Sequence, residues 1–167
     1  GLTYLLEACA ILRRRNIRFT CDVIGGAEEP LYGEYWDRVQ REHRQLNLEE
    51  EVRFLGAQPF ARVMDAYRSA AVFVLPCVIA KDSRRDITPN AVIEAMAMKL
   101  PVISTPVTGL PEIVENETSG LLAPPENSSA IADAIERVIN DHSFSCTLGE
   151  NARARIESQF DANRNVA

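Results

Sequence analysis

The sequence has few of the residues that build metal or redox centres. Its 167 residues include 2 histidines and 4 cysteines. These lie far apart along the chain, at His43 and His142 and at Cys9, Cys21, Cys77 and Cys146. Metal knuckles and redox pairs place such residues at short spacings, and disulfide frameworks are typical of smaller secreted chains. The sequence therefore predicts no metal site, no disulfide and no redox pair.

An excess of positive charge is also absent. Lys and Arg total 18 against 24 Asp and Glu, which gives a net charge of −6 and a pI near 5.0. Nucleic-acid binding needs a positive surface, so nucleic acid is not an expected partner. We interpret the basic cluster from Arg13 to Arg15 as a solvated helix end, where cations favour the dipole. With no apolar run of ~18 residues and no signal-peptide pattern, we expect a soluble, cytoplasmic domain.

Helical and strand-like patterns alternate along the chain, and 46% hydrophobic residues are enough for a core. The predicted strands cover residues 18–25, 51–55, 71–75, 101–104 and 119–122. The predicted helices cover residues 3–15, 31–46, 59–69, 89–98, 111–114, 127–140 and 143–159. This order predicts an α/β fold with a doubly wound parallel sheet, in which ligands bind at the carboxyl ends of the strands. The unalternating run at 71–75 predicts a strand covered on both faces.

The clearest candidate site is the start of the helix predicted from Pro89. Thr88 is a good N-cap and Pro89 is favoured at the first helical position, so the helix is expected to begin there. The N–H groups of Asn90 and Ala91 then have no acceptor within the helix. Because the macrodipole also makes this end positive, a diphosphate is its natural ligand.

Two carboxylates flank this helix start. Glu94 follows Asn90 by four residues and shares its helix face, and its side chain leans back toward the N-terminus. A carboxylate has two acceptor oxygens, which match two adjacent ribose hydroxyls. Asp86 lies on the preceding loop, where it can accept hydrogen bonds from a sugar. Such a pair alone is often surface charge, but here a buried strand precedes it and a small-residue helix face follows it.

Several segments around these carboxylates carry a family resemblance. Asp86 and Glu94 have seven residues between them and are followed by the segments AMA (95–97), PVIST (101–105), TGLPEIV (108–114) and SGLL (119–122). Upstream are VRFLG (52–56), YRSAA (67–71) and FVLP (73–76). In this order they resemble glycosyltransferase family 4, the group 1 glycosyl transferases, and specifically the carboxyl-terminal donor-binding domain of a GT-B fold.

The resemblance implies two Rossmann-like domains with an active site in the cleft between them. Residues 1–167 would be the donor-binding domain without its first strand, and the acceptor domain and a basic Arg–Lys pair would lie outside this sequence. Asp86 and Glu94 match the family's catalytic carboxylate pair, with Glu94 on the donor ribose. The other implied donor-binding residues are Gly25, Gly26, Arg53, Phe54, Leu55, Thr88, Asn90, Ala91, Gly109 and Leu110.

Five positions depart from the family pattern, one of them Cys77, which stands where Ser is common. Asp86 stands where Glu is commoner, and Pro89 has no N–H to offer a phosphate. Thr108 replaces the first glycine of a usual pair. Lys99 replaces a glycine after the helix, and a left-handed backbone there would cost ~1 kcal/mol relative to Gly.

The sequence thus predicts a retaining transferase that moves a hexose from a nucleoside-diphosphate sugar, with UDP or GDP as the nucleotide, to a saccharide or lipid-linked acceptor in polysaccharide biosynthesis. We expect no metal or other cofactor, an inactive isolated chain, and a cytoplasmic protein with possible peripheral association at the inner face of the membrane. Two alternatives stay open: a non-catalytic nucleotide-binding or protein-interaction module, and a nucleotide-sugar 2-epimerase. A glycoside hydrolase is disfavoured because no raised-pKa acid faces a nucleophile.

Overall fold

The structure, a computed structural model, describes residues 1–26, 33–79 and 90–160. Helices and strands alternate along it, and each predicted element has a counterpart. The helices are α1 (Leu2–Arg14), α2 (Gly33–Gln45), α3 (Phe60–Ser69), α4 (Asn90–Ala97), α5 (Leu110–Ile113), α6 (Ser128–Asn140) and α7 (His142–Gln159). The strands are β1 (Cys21–Ile24), β2 (Val52–Gly56), β3 (Phe73–Leu75), β4 (Val102–Ser104) and β5 (Leu121–Leu122).

The strands pair in parallel, as the α/β prediction requires, but the described strands form two sheets, one of β1 and β2 and one of β3, β4 and β5. β1 pairs with β2, and Cys21 is opposite Val52. β4 lies between β3 and β5, with Ile103 opposite Leu121. The carboxyl ends of neighbouring strands therefore share one edge, where Gly25 donates its N–H to the Gly56 carbonyl at 2.9 Å.

Helices cover both faces of the sheet, which confirms the doubly wound arrangement. Consecutive strand residues point to opposite faces, and on β4 Val102 and Ile103 belong to different core clusters. The cluster of Ile103 is built mainly from α1 and α6, and that of Val102 from α4, α5 and α7. The predicted cover on both faces of β3 is confirmed: Val74 packs against the cluster of Ile103, and Phe73 and Leu75 pack against that of Val102, although all three residues are half-buried. In the described sheet β3 pairs only with β4, so it is an edge strand.

Three of the described helices are followed by a residue with a left-handed backbone, two positions after the last helical residue. Asn16, Asn47 and Lys99 have φ values of 59°, 51° and 59°. After α4 the Leu100 N–H donates to the Ala95 carbonyl at 3.1 Å, the long hydrogen bond of a Schellman motif. Lys99 thus has the left-handed backbone for which the cost of a non-glycine residue was considered, in a position where glycine is the usual residue.

The basic cluster at the end of α1 is only partly a solvated face. Arg14 is exposed, as expected. Arg13 instead donates to the Leu46 carbonyl at 2.6 Å, and Arg15 pairs with Glu136 at 2.7 Å. These contacts tie α1 to the end of α2 and to α6, which the charge pattern alone does not predict.

The cysteines are free thiols, as predicted. Cys9 of α1 and Cys21 of β1 are nevertheless neighbours in one hydrophobic cluster. Their distance along the sequence therefore did not indicate that they lie close together in the fold. A hydrogen bond with Cys21, together with burial, raises the pKa of the Cys9 thiol well above its ordinary value.

Among residues 1–26, 33–79 and 90–160, no three His, Cys, Asp or Glu side chains are grouped to hold a metal. Within the same ranges no helix is both long and apolar enough to cross a bilayer.

Candidate functional site

The candidate site lies where α4 begins, after the loop that leaves β3. The described part of α4 begins at Asn90, which is exposed. Asp86, Thr88 and Pro89 lie outside the described residues, so their roles stay predictions. Val92, two residues into the helix, is fully buried and anchors this end of α4 in the core.

Glu94 lies in the second turn of α4 and is half-buried. Its Oε2 accepts a hydrogen bond from the Tyr67 hydroxyl at 3.2 Å. The same hydroxyl lies 3.3 Å from the carbonyl oxygen of Ala91, in the first turn. The Tyr67 hydroxyl therefore links the Glu94 carboxylate to the backbone of the preceding turn, and the predicted lean of Glu94 toward the helix start stays a prediction.

Tyr67 is the residue of this site that the sequence analysis missed. It lies near the end of α3 and is only 8% exposed. Its ring meets Phe73 of β3 edge-on, with 5.7 Å between the ring centroids. Periodicity along α3 assigns Tyr67 to the apolar face, and nothing in that pattern distinguishes its hydroxyl from any other core tyrosine.

The electrostatics of this pair favour a protonated phenol. Burial and the neighbouring Glu94 carboxylate raise the pKa of Tyr67 to about 12. At neutral pH the hydroxyl is therefore a donor, and a carboxylate is its natural acceptor. A carboxylate has about four acceptor positions, so the bond from Tyr67 leaves capacity for a hydroxylated ligand.

Buried hydroxyls join the carboxyl ends of β3 and β4. Ser104 Oγ donates to the Leu75 carbonyl and Thr105 Oγ to the Cys77 carbonyl, each at 2.6 Å. Both side chains are almost fully buried. They fix the first residues of the loop between β3 and α4 against β4, so that the loop leaves the sheet in a defined direction.

The start of α1 lies at the same edge. A Cβ on Gly1 would be 1.5 Å from the Pro76 carbonyl oxygen, so Gly1 is directly against the end of β3. On the other side, the Leu2 N–H donates to the Tyr35 hydroxyl at 3.1 Å. Tyr35 belongs to α2, which follows β1. Helix starts therefore converge on the carboxyl edge, as the predicted fold requires.

The predicted glycine turn after β1 is present. Gly25 has a φ of 107°, a conformation that glycine adopts readily and other residues rarely do. A Cβ built on Gly25 or on Gly26 would meet nothing within 4 Å. The turn therefore borders open space at the carboxyl edge, and its contact with a donor stays a prediction.

The predicted nucleobase segment follows β2. Arg53 forms a two-pronged ion pair with Asp22 of β1, at 2.7 and 2.9 Å, so its guanidinium is already engaged. Phe54 packs edge-on against Trp36, with 5.0 Å between ring centroids. Leu55 is 40% exposed at the end of the strand. The side chains of Arg53 and Phe54 are therefore already engaged by other residues of the protein, and that of Leu55 is exposed. This fits the expectation that the segment contacts a nucleobase largely through its backbone.

The predicted turn before α5 has a mixed outcome. Thr108 has a left-handed backbone with a φ of 52°, which explains why glycine suits that position. Gly109 itself has an ordinary right-handed conformation. Leu110 is fully buried and its N–H donates to the Val107 carbonyl at 3.2 Å. Leu110 can therefore shape this turn, and its contact with a donor stays a prediction.

A separate cavity of about 510 Å³ lies near the amino ends of β3 and β4, lined by Tyr67, Lys99, His142 and Cys146 among others. That is the opposite edge of the sheet from the start of α4. The cavity is therefore not the predicted donor site, although the Tyr67 ring borders it.

The parallel sheet, its two helical layers and the helix starts at one edge define one Rossmann-like half of a GT-B fold. The family described as group 1 glycosyl transferases matches residues 1–141, and the chain belongs to it. The amylovoran biosynthesis glycosyltransferase AmsK of Erwinia amylovora is 31% identical over 161 residues, which cover 96% of this chain and 38% of AmsK. The chain thus spans about 38% of that relative's length.

Solved structures show the same fold. Sucrose-phosphate synthase of Thermosynechococcus elongatus matches with a TM-score of 0.81 and 29% identity, over 98% of this chain and 40% of that protein. HepE of Anabaena, solved with UDP-glucose, matches with a TM-score of 0.84 and 23% identity, over 96% of this chain and 41% of HepE. The predicted family and fold class are both confirmed.

Proposed function

We propose that this chain is the donor-binding half of a retaining glycosyltransferase that transfers a hexose from a nucleoside-diphosphate sugar. The observation that carries the proposal is Glu94, a half-buried carboxylate on α4 that the Tyr67 hydroxyl links to the first turn of that helix, at the carboxyl edge of a parallel sheet. Family membership supports the reaction type. The names of two relatives, an amylovoran and a capsular polysaccharide biosynthesis glycosyltransferase, support a role in polysaccharide biosynthesis, and we propose a saccharide or lipid-linked acceptor.

In this proposal the start of α4 binds the diphosphate and Glu94 binds the ribose. The Asn90 and Ala91 amides offset the charge that develops on the diphosphate as the bond from its oxygen to the anomeric carbon breaks. The acceptor hydroxyl oxygen bonds to the same face of that carbon and loses its proton. Asp86 is assigned to the donor sugar. Neither a metal nor another cofactor is required by this scheme.

Catalysis also needs groups that this chain is not proposed to supply. The acceptor domain, the first strand of the donor domain and a basic pair for the diphosphate are assigned to other parts of a longer protein. The relatives support this division, because the chain covers 38% of AmsK. We propose a cytoplasmic location at the inner face of the membrane, where a lipid-linked acceptor would be reached.

Calorimetric titration with UDP-glucose and GDP-mannose, on a protein that extends upstream of Gly1, tests the donor assignment. UDP-glucose is the first donor to try because HepE was solved with it. Glu94→Gln keeps the side-chain size but removes the charge, and it should weaken donor binding by about tenfold or more. Glu50→Gln is the matched control, since Glu50 is an exposed carboxylate before β2. Unchanged donor affinity in Glu94→Gln would contradict the proposal.

Product analysis on the same protein separates the alternatives. Transfer of the hexose to an acceptor with retained anomeric configuration supports the proposal. Conversion of the donor sugar without any acceptor would identify an epimerase. Donor binding with neither reaction would identify a non-catalytic module.

A further inference from the structure

The Tyr67 hydroxyl bridges two successive turns of α4. It lies 3.2 Å from Glu94 Oε2 and 3.3 Å from the Ala91 carbonyl oxygen. These acceptors belong to the second and first turns of one helix, whereas Tyr67 belongs to α3. A single phenolic proton is therefore shared between a functional carboxylate and the backbone of the helix start.

The rest of Tyr67 is held independently of that hydroxyl. Its ring is buried and packs edge-on against Phe73, with 5.7 Å between centroids and 72° between the ring planes. Tyr67 also belongs to the hydrophobic cluster against which Val63 and Met64 of α3 pack. A phenylalanine would satisfy all of these apolar contacts, so packing alone does not account for the hydroxyl.

We propose that Tyr67 is a positioning residue for nucleotide recognition: its hydroxyl fixes Glu94 Oε2 so that the free acceptor positions of the carboxylate face the two ribose hydroxyls. This inference rests on the proposed function, because it takes Glu94 as the ribose ligand. A free glutamate side chain samples several rotamers and must be ordered when the ligand binds. The bond from Tyr67 orders it beforehand.

The test compares UDP with 2′-deoxy-UDP and 3′-deoxy-UDP by calorimetry, in the wild-type protein and in Tyr67→Phe, again extended upstream of Gly1. If GDP is the nucleotide that binds, the corresponding guanine nucleotides are used. The wild type should bind a deoxynucleotide about tenfold more weakly than the parent nucleotide. Tyr67→Phe should bind the parent nucleotide about threefold to tenfold more weakly and should lose a similar factor of its discrimination against the deoxynucleotide.

Tyr4→Phe is the matched control. Tyr4 also has a hydroxyl beside a carboxylate, that of Glu126, but it lies on α1, away from Glu94. This control should keep the full discrimination against the deoxynucleotide. In a Glu94→Gln background, Tyr67→Phe should have little further effect on nucleotide affinity, because the carboxylate it positions is gone.

The outcomes separate the two hypotheses. If the wild type binds nucleotide but does not discriminate against either deoxynucleotide, the ribose assignment of Glu94 is wrong, and this inference falls with it. If the wild type discriminates and Tyr67→Phe discriminates equally, only the positioning role is refuted. A purely structural tyrosine would give that second result, with a lower melting temperature and an unchanged affinity ratio.

Discussion

The carbonyl oxygen of Lys99 faces Gly149 so closely that a Cβ on Gly149 would lie 2.2 Å from it. Gly149 is buried in α7, and Lys99 is the left-handed residue that ends α4. Real Cβ contacts do not come below 3.0 Å. Because glycine has no side chain, α7 can pack at position 149 directly on the end of α4, the helix that carries Glu94.

Gly149→Ala should destabilise the protein. Alanine has the higher helix propensity, by ~1 kcal/mol, but the clash is with backbone and must be relieved by moving α7 or the end of α4. Overpacking of this kind costs ~1–3 kcal/mol, so the net loss should be ~1–2 kcal/mol in the free energy of unfolding by denaturant. Gly33→Ala, at an open site in α2, should cause no loss. An alanine at 149 as stable as glycine would mean that the two helices are not in this contact.

Lys99→Gly should stabilise the protein. The left-handed backbone costs a non-glycine residue ~1–2 kcal/mol, part of which is offset by the greater freedom of glycine in the unfolded chain. The substitution also loses the exposed ion pair from Lys99 Nζ to Glu150 at 2.8 Å, worth ~0–1 kcal/mol. We expect a net gain of ~0.5 kcal/mol in unfolding free energy. Lys99→Ala removes the same ion pair but keeps the Cβ, and it should give no gain; equal stability of the two variants would contradict the backbone explanation.

The order of elements could be predicted from the sequence because each element has a local signal. The start of α3 is an example: Pro59 and the apolar spacing after it are sufficient to locate the helix within one residue. Strand ends were less accurate. The strand predicted over 18–25 pairs only from Cys21, because its partner β2 begins at Val52, and pairing depends on both strands.

Contacts between distant elements could not be predicted in this way. Tyr67 and Glu94 are 27 residues apart, and Cys9 and Cys21 lie on a helix and a strand. Periodicity gives the buried face of each element but not which residue on another element meets it. That Asn90 and Glu94 share one helix was predictable, because it follows from the local pattern of a single element.

The stability that Tyr67 contributes should fall at high pH. Burial, and next the Glu94 carboxylate, raise the pKa of Tyr67 to about 12 in the folded protein. In the unfolded chain the phenol ionises near its ordinary pKa of ~10. Between these values the unfolded chain holds fewer protons than the folded protein, so the unfolding free energy declines as the pH rises. The contribution is complete below pH ~10 and is lost as the pH passes through about 12.

Comparison of the wild type with Tyr67→Phe isolates this group from the other alkaline titrations. The difference in unfolding free energy between the two proteins should be constant up to pH ~10 and then change steadily toward pH 12, where the wild type loses more. Ultraviolet titration of tyrosinate gives an independent measurement. Subtracting the Tyr67→Phe curve from the wild-type curve should leave one phenol with a midpoint near 12. A midpoint near ~10 would mean that the hydroxyl is solvated and does not face the Glu94 carboxylate.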